Sequence, residues 1–527
     1  MKERYNQRWA ALLALGLAAG LLAGCAPALP PADSAASSEA ASSEAASSGA
    51  ASSEAASGGA AQTDAANPLD DGVLRYLYDL NSNGGGSLLR GAELIYRADP
   101  SESITLLNSP GADDPVGWQL GYNGPDGGRR TAVCDAGGAL LWDGAGDWRA
   151  DIAEGLLALT PGGYGVDYGP GGPAGCRLVD LADGSEIPLP ADATGCIPVG
   201  DGRAVLTVNT DPGAGSLEGS AAVLYDLAAG AELARIEGAY AYRAYDDDGL
   251  SRCVAIQRYE DATDNWFTDL YIPDTGEVVP RFITFCGPDT ICYAEGEGEY
   301  VVRTLADPEP LAVYGGRCAW WRPDLALVAD EDGALTMVSD GRSELLFQYG
   351  TDTTNGEEAA ILLADGRLVL RAPDGARTEV ATGLESIRDE EGAWVSVLGV
   401  RDGVALLSVI DAANPEGVCR LYDASGLLYD TAGTGYQRLN ELTAGPDGPV
   451  YAAPRFTPGR SGLLYDIVDA HGHVILSGLA DVSAYGLPDG VFSARRGYER
   501  GYMDLAGEWL YRESVFTALG DDEGYGW

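Results

Sequence analysis

Histidine, the residue that most often acts as a general acid or base, is scarce in this 527-residue sequence. Its two histidines, His471 and His473, lie in or beside one turn with a single glycine between them. Nucleophilic catalysis by serine or cysteine with a histidine base would have to use one of this pair. The pair could also bind a metal, but no third ligand is indicated nearby. The sequence therefore predicts no catalytic, cofactor-binding or metal-ligating residue, and we expect both histidines to be solvated.

Carboxylates are the one catalytic group in surplus, with 80 aspartates and glutamates. Two carboxylates at the right separation can cleave a glycosidic bond. No pair stands out by its spacing, so a carbohydrate-active enzyme, either a glycosidase or a lyase, stays an open alternative without assigned residues. Neither a Gly-x-Ser-x-Gly nucleophile motif nor a phosphate-binding Gly-x-x-x-x-Gly-Lys loop occurs.

The cysteines suggest structure more than chemistry. No Cys-x-x-Cys motif occurs, which argues against zinc binding and thioredoxin-type redox chemistry. Cys286 and Cys292 flank a turn and could face one another across a hairpin, so a disulfide between them is one prediction and two buried apolar thiols are the other. Cys176 and Cys196 form a weaker second pair.

Tryptophans near turns are candidates for ligand contact, because sugars and peptides stack on such rings. Packing in the core is the alternative role for each of them, and no binding site is assigned from these residues alone. The tryptophans concerned are Trp142, Trp148, Trp266, Trp320, Trp321 and Trp394.

The charge balance excludes one class of partner. Lysine and arginine total 33, which gives a formal net charge of −47. Nucleic-acid binding depends largely on basic contacts to phosphate, so we expect no nucleic-acid partner. The same balance argues against adsorption of the folded body to an anionic membrane surface.

A repeated turn organises the sequence after Pro68. Strict Asp-x-x-Gly hairpins begin at Asp135, Asp423, Asp469 and Asp504. Their glycine can adopt positive φ, and their aspartate can accept hydrogen bonds from the amides of the turn. Looser copies lie between the first two, at Asp180, Asp226, Asp274, Asp332 and Asp374.

The spacing of these turns predicts the fold class. Seven intervals from Asp135 to Asp469 average about 48 residues, in the range of one four-stranded propeller blade. The runs between turns have strand length and are rich in Val, Leu, Ile and Tyr. The sequence therefore predicts an all-β repeat domain over residues 68–527, best fitted by a β-propeller of seven or eight blades.

The C-terminal units resemble a known family more closely. Leu464–Leu476, Val491–Ala494 and Gly501–Leu510 are similar to the units of bacterial WG-repeat proteins, which combine an aromatic and apolar start, an aspartate, a glycine and an apolar strand. The likeness is clearest over residues 423–516. It implies a repeat architecture and surface or binding roles rather than a defined activity.

The N-terminus consists of a basic segment followed by an apolar one. Lys2, Arg4 and Arg8 precede a short apolar run that ends Leu22-Ala-Gly-Cys25. This arrangement resembles the signal peptide and lipobox of bacterial lipoproteins. The resemblance implies a signal peptide over residues 1–24 and lipidation of Cys25. The lipid would anchor the protein on the extracytoplasmic face of the cell membrane.

Residues 25–67 follow as a tether. They consist almost entirely of alanine, serine, glutamate, glycine and proline, which cannot bury enough apolar surface to fold. Taken together, these features predict a surface-anchored lipoprotein whose repeat domain binds an extracellular or cell-envelope ligand, or acts as a scaffold, without catalysis. A glycan, a peptide or a protein could be that ligand.

Overall fold

The computed structural model describes residues 67–78, 86–99, 101–110, 112, 114–162, 175–209, 219–246, 249–260, 265–287, 289–296, 298–330, 333–456 and 463–514. All of them belong to one unit of the chain, Ala65–Trp527. The predicted signal peptide, Cys25 and the tether up to Ala66 lie outside the described residues and remain predictions. None of the described residues forms a helix with the length and apolarity needed to cross a membrane.

The described residues form 42 strands. The first sixteen are β1 Leu74–Tyr78, β2 Gly86–Arg90, β3 Glu93–Ala98, β4 Ser103–Leu107, β5 Gly117–Asn123, β6 Arg129–Asp135, β7 Leu140–Ala145, β8 Trp148–Ala153, β9 Leu156–Pro161, β10 Arg177–Asp180, β11 Glu186–Ile187, β12 Ala193–Gly200, β13 Arg203–Asn209, β14 Ser220–Asp226, β15 Ala231–Glu237 and β16 Ala239–Asp246.

The middle of the chain contributes β17 Gly249–Glu260, β18 Asn265–Ile272, β19 Glu277–Val279, β20 Phe282–Gly287, β21 Thr290–Gly296, β22 Glu299–Thr304, β23 Ala312–Tyr314, β24 Arg317–Arg322, β25 Leu325–Ala329, β26 Leu335–Ser339, β27 Arg342–Leu345, β28 Asp352–Asn355, β29 Glu358–Leu362, β30 Arg367–Arg371 and β31 Arg377–Ala381. A 3-10 helix, Glu385–Ile387, follows β31.

The last strands are β32 Trp394–Arg401, β33 Val404–Ile410, β34 Val418–Asp423, β35 Gly426–Asp430, β36 Asn440–Gly445, β37 Gly448–Phe456, β38 Leu463–Asp469, β39 Val474–Ser483, β40 Val491–Arg496, β41 Glu499–Asp504 and β42 Trp509–Ser514.

Every sheet is an antiparallel meander in which neighbours in sequence are neighbours in space. Among the described residues there are eight four-stranded sheets, from β4–β7 to β32–β35, with a three-stranded sheet β1–β3 before them and a seven-stranded sheet β36–β42 after them. First strands of successive sheets contact one another, as β20 and β24 do. Fourth strands such as β15 are mostly exposed. This is the radial arrangement of β-propeller blades, so the predicted all-β propeller-type repeat is confirmed.

Two kinds of tight turn form the hairpins. Between β32 and β33, Asp402 and Gly403 both have positive φ, at 51° and 72°. Such a turn matches the twist of the two strands that it joins. In the Asp-x-x-Gly turn of Asp504, the backbone carbonyl accepts a bond from Gly507 N (3.0 Å) and the carboxylate accepts one from Glu508 N (2.9 Å). The role predicted for the aspartate is confirmed.

The core is divided among the sheets. If β36–β39 and β40–β42 are counted separately, eleven apolar clusters of described residues each join two successive strand groups. The last cluster joins β40–β42 to β1–β3 through Leu77, Leu89, Val491 and Tyr502. Packing therefore runs in a closed circuit, and we call this last contact the closure junction.

The number of repeat units exceeds the seven or eight that the turn spacing favours. The wide interval from Asp274 to Asp332 contains the whole sheet β20–β23, whose last turn, residues 305–311, has no glycine. The spacing therefore passes over one unit. Sheet β1–β3 precedes Asp135, the first of the repeated turns, and adds another unit.

The cysteine pair of the first hairpin in sheet β20–β23 does not have the predicted arrangement. Cys292 pairs in register with Thr284, and an irregularity between Phe285 and Gly287 leaves Cys286 out of register. The two thiols therefore do not face one another, both are buried, and no disulfide joins them. Burial raises the pKa of Cys292 to about 12. The buried apolar thiol, the alternative prediction, describes both residues.

Candidate ligand-binding cleft

A cleft of about 350 Å³ lies beside the closure junction. Strands β1, β38, β39, β40 and β41 and the loop after β39 supply its walls. We call it the tyrosine cleft, because five of its fourteen lining residues are tyrosines. The lining residues are Tyr76, Leu77, Tyr78, Tyr465, Asp481, Val482, Ser483, Tyr485, Leu487, Ser493, Ala494, Arg495, Arg500 and Tyr502.

The tyrosines reach the cleft from separate parts of the chain. Tyr76 and Tyr78 are two residues apart on β1 and so share a face, and their rings meet edge to face with centroids 6.1 Å apart. Tyr485 lies on the loop after β39 and is 99% exposed. Tyr502 is buried, which raises its pKa and keeps its hydroxyl protonated. The cleft therefore offers flat apolar rings together with hydroxyl groups.

A bend in β39 brings polar groups into the same wall. Leu479 pairs with Tyr465 of β38, whereas the next residue, Ala480, pairs with Arg495 of β40. Asp481, immediately after this change of partner, has a φ of 52°, which is uncommon for a residue with a side chain. The strand thus passes from one sheet to the next at the point where Asp481 enters the cleft wall. Backbone strain of this kind often accompanies a functional site.

Glu513 on β42 holds the two ends of the circuit together behind the cleft. Its carboxylate accepts hydrogen bonds from Ser87 Oγ on β2 (2.7 Å) and from Tyr511 Oη (2.9 Å), and it also pairs with Arg97 on β3. Arg500 on β41 donates to it through Nε and Nη2, each at 2.7 Å. We call this group of five residues the carboxylate clasp.

The clasp determines the ionisation of its carboxylate. Burial alone would raise the pKa of Glu513, but the hydrogen bonds from Ser87 and Tyr511 and the pairing with Arg500 outweigh it and lower the pKa below its ordinary value. Glu513 therefore stays ionised at neutral pH. Since it also neutralises Arg500, that arginine has less positive charge to offer to a ligand in the cleft.

A second group of acidic residues surrounds Arg401 and does not line the tyrosine cleft. Arg401 pairs with Glu441 (3.1 Å) and Asp489 (2.8 Å). Burial raises the pKa of Glu441, and Arg401 opposes this. Nearby, Glu358 accepts bonds from the amides of Asp402 and of the residue that follows it. Glu358 thus stabilises the β32–β33 turn. Glu441 has the raised pKa that a general acid needs.

The two histidines lie in the turn between β38 and β39. Asp469 accepts backbone bonds from His471 (2.8 Å) and His473 (2.9 Å), and its second oxygen lies 2.9 Å from His473 Nδ1. The His473 side chain is 78% exposed. Within the part of the chain that the structure describes, no group of three His, Cys, Asp or Glu side chains is arranged to hold a metal ion.

None of the tryptophans singled out from the sequence lines the tyrosine cleft. Trp320 is buried in the core, and Trp142 packs against Trp148 with ring centroids 5.7 Å apart. Trp266 and Trp394 are about half exposed, but both lie in other sheets. Sequence reasoning did not identify the tyrosines as a group. Their signal was the Tyr-x-Tyr alternation on β1 and the repeated tyrosine of the C-terminal units.

Comparison with known proteins finds one family. A model described as a domain of unknown function (DUF5046) matches residues 325–522, which include most of the cleft residues but less than half of the chain. None of the curated proteins matches the sequence.

Several solved structures are similar to this chain at low sequence identity. BamB from Moraxella catarrhalis is 13% identical, with 67% of this chain and 94% of that chain covered and a TM-score of 0.26. The β-propeller domain of the Trilobed protease from Pyrococcus furiosus is 10% identical, covering 58% and 88%, with a TM-score of 0.23. The C-terminal WD40 domain of Sif2 is 13% identical, covering 66% and 92%, with a TM-score of 0.24.

Proposed function

We propose that this protein is a bacterial lipoprotein, anchored through Cys25 to the extracytoplasmic face of the membrane, whose propeller binds an extracellular or cell-envelope ligand without transforming it. The tyrosine cleft carries this proposal, because it combines a small-ligand volume with aromatic rings and a few convergent polar groups. The anchor rests on the lipobox-like sequence before Cys25.

The composition of the cleft favours binding over catalysis. Cleavage of a glycosidic bond uses two carboxyl groups roughly 5 to 10 Å apart on either side of the bond. The lining residues include one carboxylate, Asp481. Glu513 behind the wall already accepts bonds from the clasp residues and has a lowered pKa, which is the opposite of what a general acid requires.

A carbohydrate-active enzyme is the second candidate, and one observation favours it. Glu441 has a raised pKa, as a general acid would, and the carboxylates of Glu358 and Asp402 lie close enough to raise it further. In this alternative the reaction would take place near the β32–β33 turn and not in the tyrosine cleft. Glu441→Gln would then abolish turnover, while substitutions in the cleft would leave it unchanged.

An array of glycans and peptidoglycan fragments, probed with the full chain in detergent, tests the proposal. Saturable binding without new products, weakened by Tyr78→Ala and Tyr502→Phe, is the expected result. New reducing ends or unsaturated products, lost in Glu441→Gln, would overturn it in favour of the enzyme. Absence of binding to every array component would also count against it.

The anchor needs a separate test, because ligand binding does not depend on it. Cells expressing the protein are fed an alkyne fatty acid, and labelling and membrane fractionation are compared with those of Cys25→Ala. The wild-type chain should carry the label and sediment with membranes, and the variant should do neither. Equal labelling of both would contradict lipidation at Cys25.

A further inference from the structure

Arg495 and Arg500, the two arginines that line the cleft, differ in their bonding partners. The Nε of Arg495 donates to the carbonyl of Gly497 at 3.1 Å, and within the described residues no carboxylate forms an ion pair with this arginine. By contrast, Arg500 donates twice to Glu513. The chain has 80 acidic and 33 basic residues, but the cleft is lined by two arginines and one carboxylate, Asp481.

A guanidinium in this position suits an anionic ligand group. Arginine presents several N–H donors in one plane, which match the two oxygens of a carboxylate. Arg495 is half-buried, so its attraction to an anion is stronger than it would be in open solvent. The net charge of −47 acts mainly at longer range, where physiological salt screens it beyond roughly 8 Å.

The exposed rings indicate what the rest of the ligand would be. Tyr485, on the loop after β39, is 99% exposed, and Tyr78, on β1, is 47% exposed. A tyrosine ring can pack against the apolar face of a sugar while its hydroxyl bonds the hydroxyl groups of that sugar. Ser483 and Ser493 add polar groups to the same wall. A cleft of about 350 Å³ lies at the lower end of small-ligand sites, which fits a short saccharide and not a folded protein.

We propose that the tyrosine cleft binds an acidic saccharide, whose sugar rings pack against Tyr78 and Tyr485 and whose carboxylate pairs with Arg495. This inference rests on the proposed binding function and names the class of its ligand. It assigns Arg495 as the residue that distinguishes an acidic sugar from a neutral one.

Matched sugars test the inference on the full chain in detergent by isothermal titration calorimetry. The probes are a galacturonate trisaccharide and a hyaluronan tetrasaccharide, each as the free acid and as its methyl ester, which keeps the rings and removes the charge. For at least one of the two sugars we expect the acid to bind at least tenfold more tightly than the ester. The sugar that shows this preference identifies which uronic acid source the cleft accepts.

Substitution of two adjacent arginines then locates the preference. Arg495→Gln should reduce the acid-to-ester ratio to near one, and Arg495→Lys should restore part of it. Arg496→Gln is the matched control, because Arg496 is exposed, carries the same charge and does not line the cleft. Thermal melting of each variant shows whether it is folded.

Three results would overturn the inference: ester and acid binding equally to the wild type, an unchanged preference in Arg495→Gln, or binding of neither acid. In each case, binding of another array component would leave the proposed function standing. Failure of every array component to bind would remove both. The two hypotheses can therefore fail separately.

Discussion

Two junctions between neighbouring sheets show different ways of holding this ring of sheets together. The junction of β28–β31 with β32–β35 buries a cluster of fifteen apolar residues. At the closure junction, the corresponding buried cluster has five. There the carboxylate clasp contributes bonds from Ser87, Arg97, Arg500 and Tyr511 to Glu513, and the tyrosine cleft lies in front of it.

The difference has a physical reason. Apolar packing is non-directional and fills the space between two sheets, so it leaves no room for a ligand. A buried carboxylate with several donors fixes the first and last sheets in one arrangement, and it needs less apolar surface to do so. The comparison predicts that the first junction determines global stability, whereas the closure junction determines local opening and binding.

Leu407→Ala should have the largest effect on stability. Leu407 is completely buried in the fifteen-residue cluster, and its truncation leaves a cavity that the surrounding strands can fill only in part. We expect the free energy of unfolding to fall by about 2 to 5 kcal/mol, measured by chemical denaturation. Leu398→Ala on the neighbouring strand is the control, because Leu398 is 47% exposed. Equal losses in the two variants would contradict the comparison.

Glu513→Gln should weaken the closure junction by less, about 1.5 to 3 kcal/mol, because it removes charge-assisted hydrogen bonds but keeps the shape of the side chain. Hydrogen exchange should increase in β1–β3 and β41–β42 and stay unchanged in β28–β35. Glu499→Gln is the matched control, since Glu499 pairs with Arg512 in the same sheet but both side chains are exposed. Its expected effect is below about 1 kcal/mol. Uniform exchange throughout the protein would show that the closure junction does not open separately.

The pH dependence of the clasp refines this comparison. The pKa of Glu513 is lower in the folded protein than its ordinary value, so its contribution to stability is complete above about pH 4.3 and is lost as the pH falls through the folded pKa. The difference in unfolding free energy between wild type and Glu513→Gln should therefore shrink between pH 6 and pH 3. The corresponding difference for Glu499→Gln should change much less. A difference that grows on acidification would have the wrong sign.

The sequence was sufficient to predict the local structure but not the circuit that the sheets form. The aspartate of each Asp-x-x-Gly turn is bonded as expected, because such turns depend on residues two to four positions apart. The missed sheet β20–β23 shows the limit of this reasoning, since its last turn contains no glycine to mark it. Counting turns finds only those units that use the common turn.

The cleft was beyond prediction for a related reason. Tyr76 and Tyr502 are more than 400 positions apart, and they line one cleft because the last sheet packs against the first. Arg495 on β40 becomes part of the cleft wall because β39 bends at Asp481 and pairs with β40 there. No local sequence pattern predicts this bend. Glu513 is one of 80 acidic residues, and only its buried position beside Ser87 distinguishes it.

Tyr485→Ala should have the smallest effect on stability and a clear effect on binding. Tyr485 is almost fully exposed, so its removal should change the free energy of unfolding by less than about 0.5 kcal/mol. If a ligand ring packs against it, its loss should weaken binding by roughly three- to tenfold, measured by the same titration calorimetry. Tyr349→Ala is the control, because Tyr349 is 55% exposed and lies outside the cleft. Equal affinities in the two variants would show that the ligand binds elsewhere. The small apolar cluster of the closure junction would then reflect how the first and last sheets meet, and not a binding site.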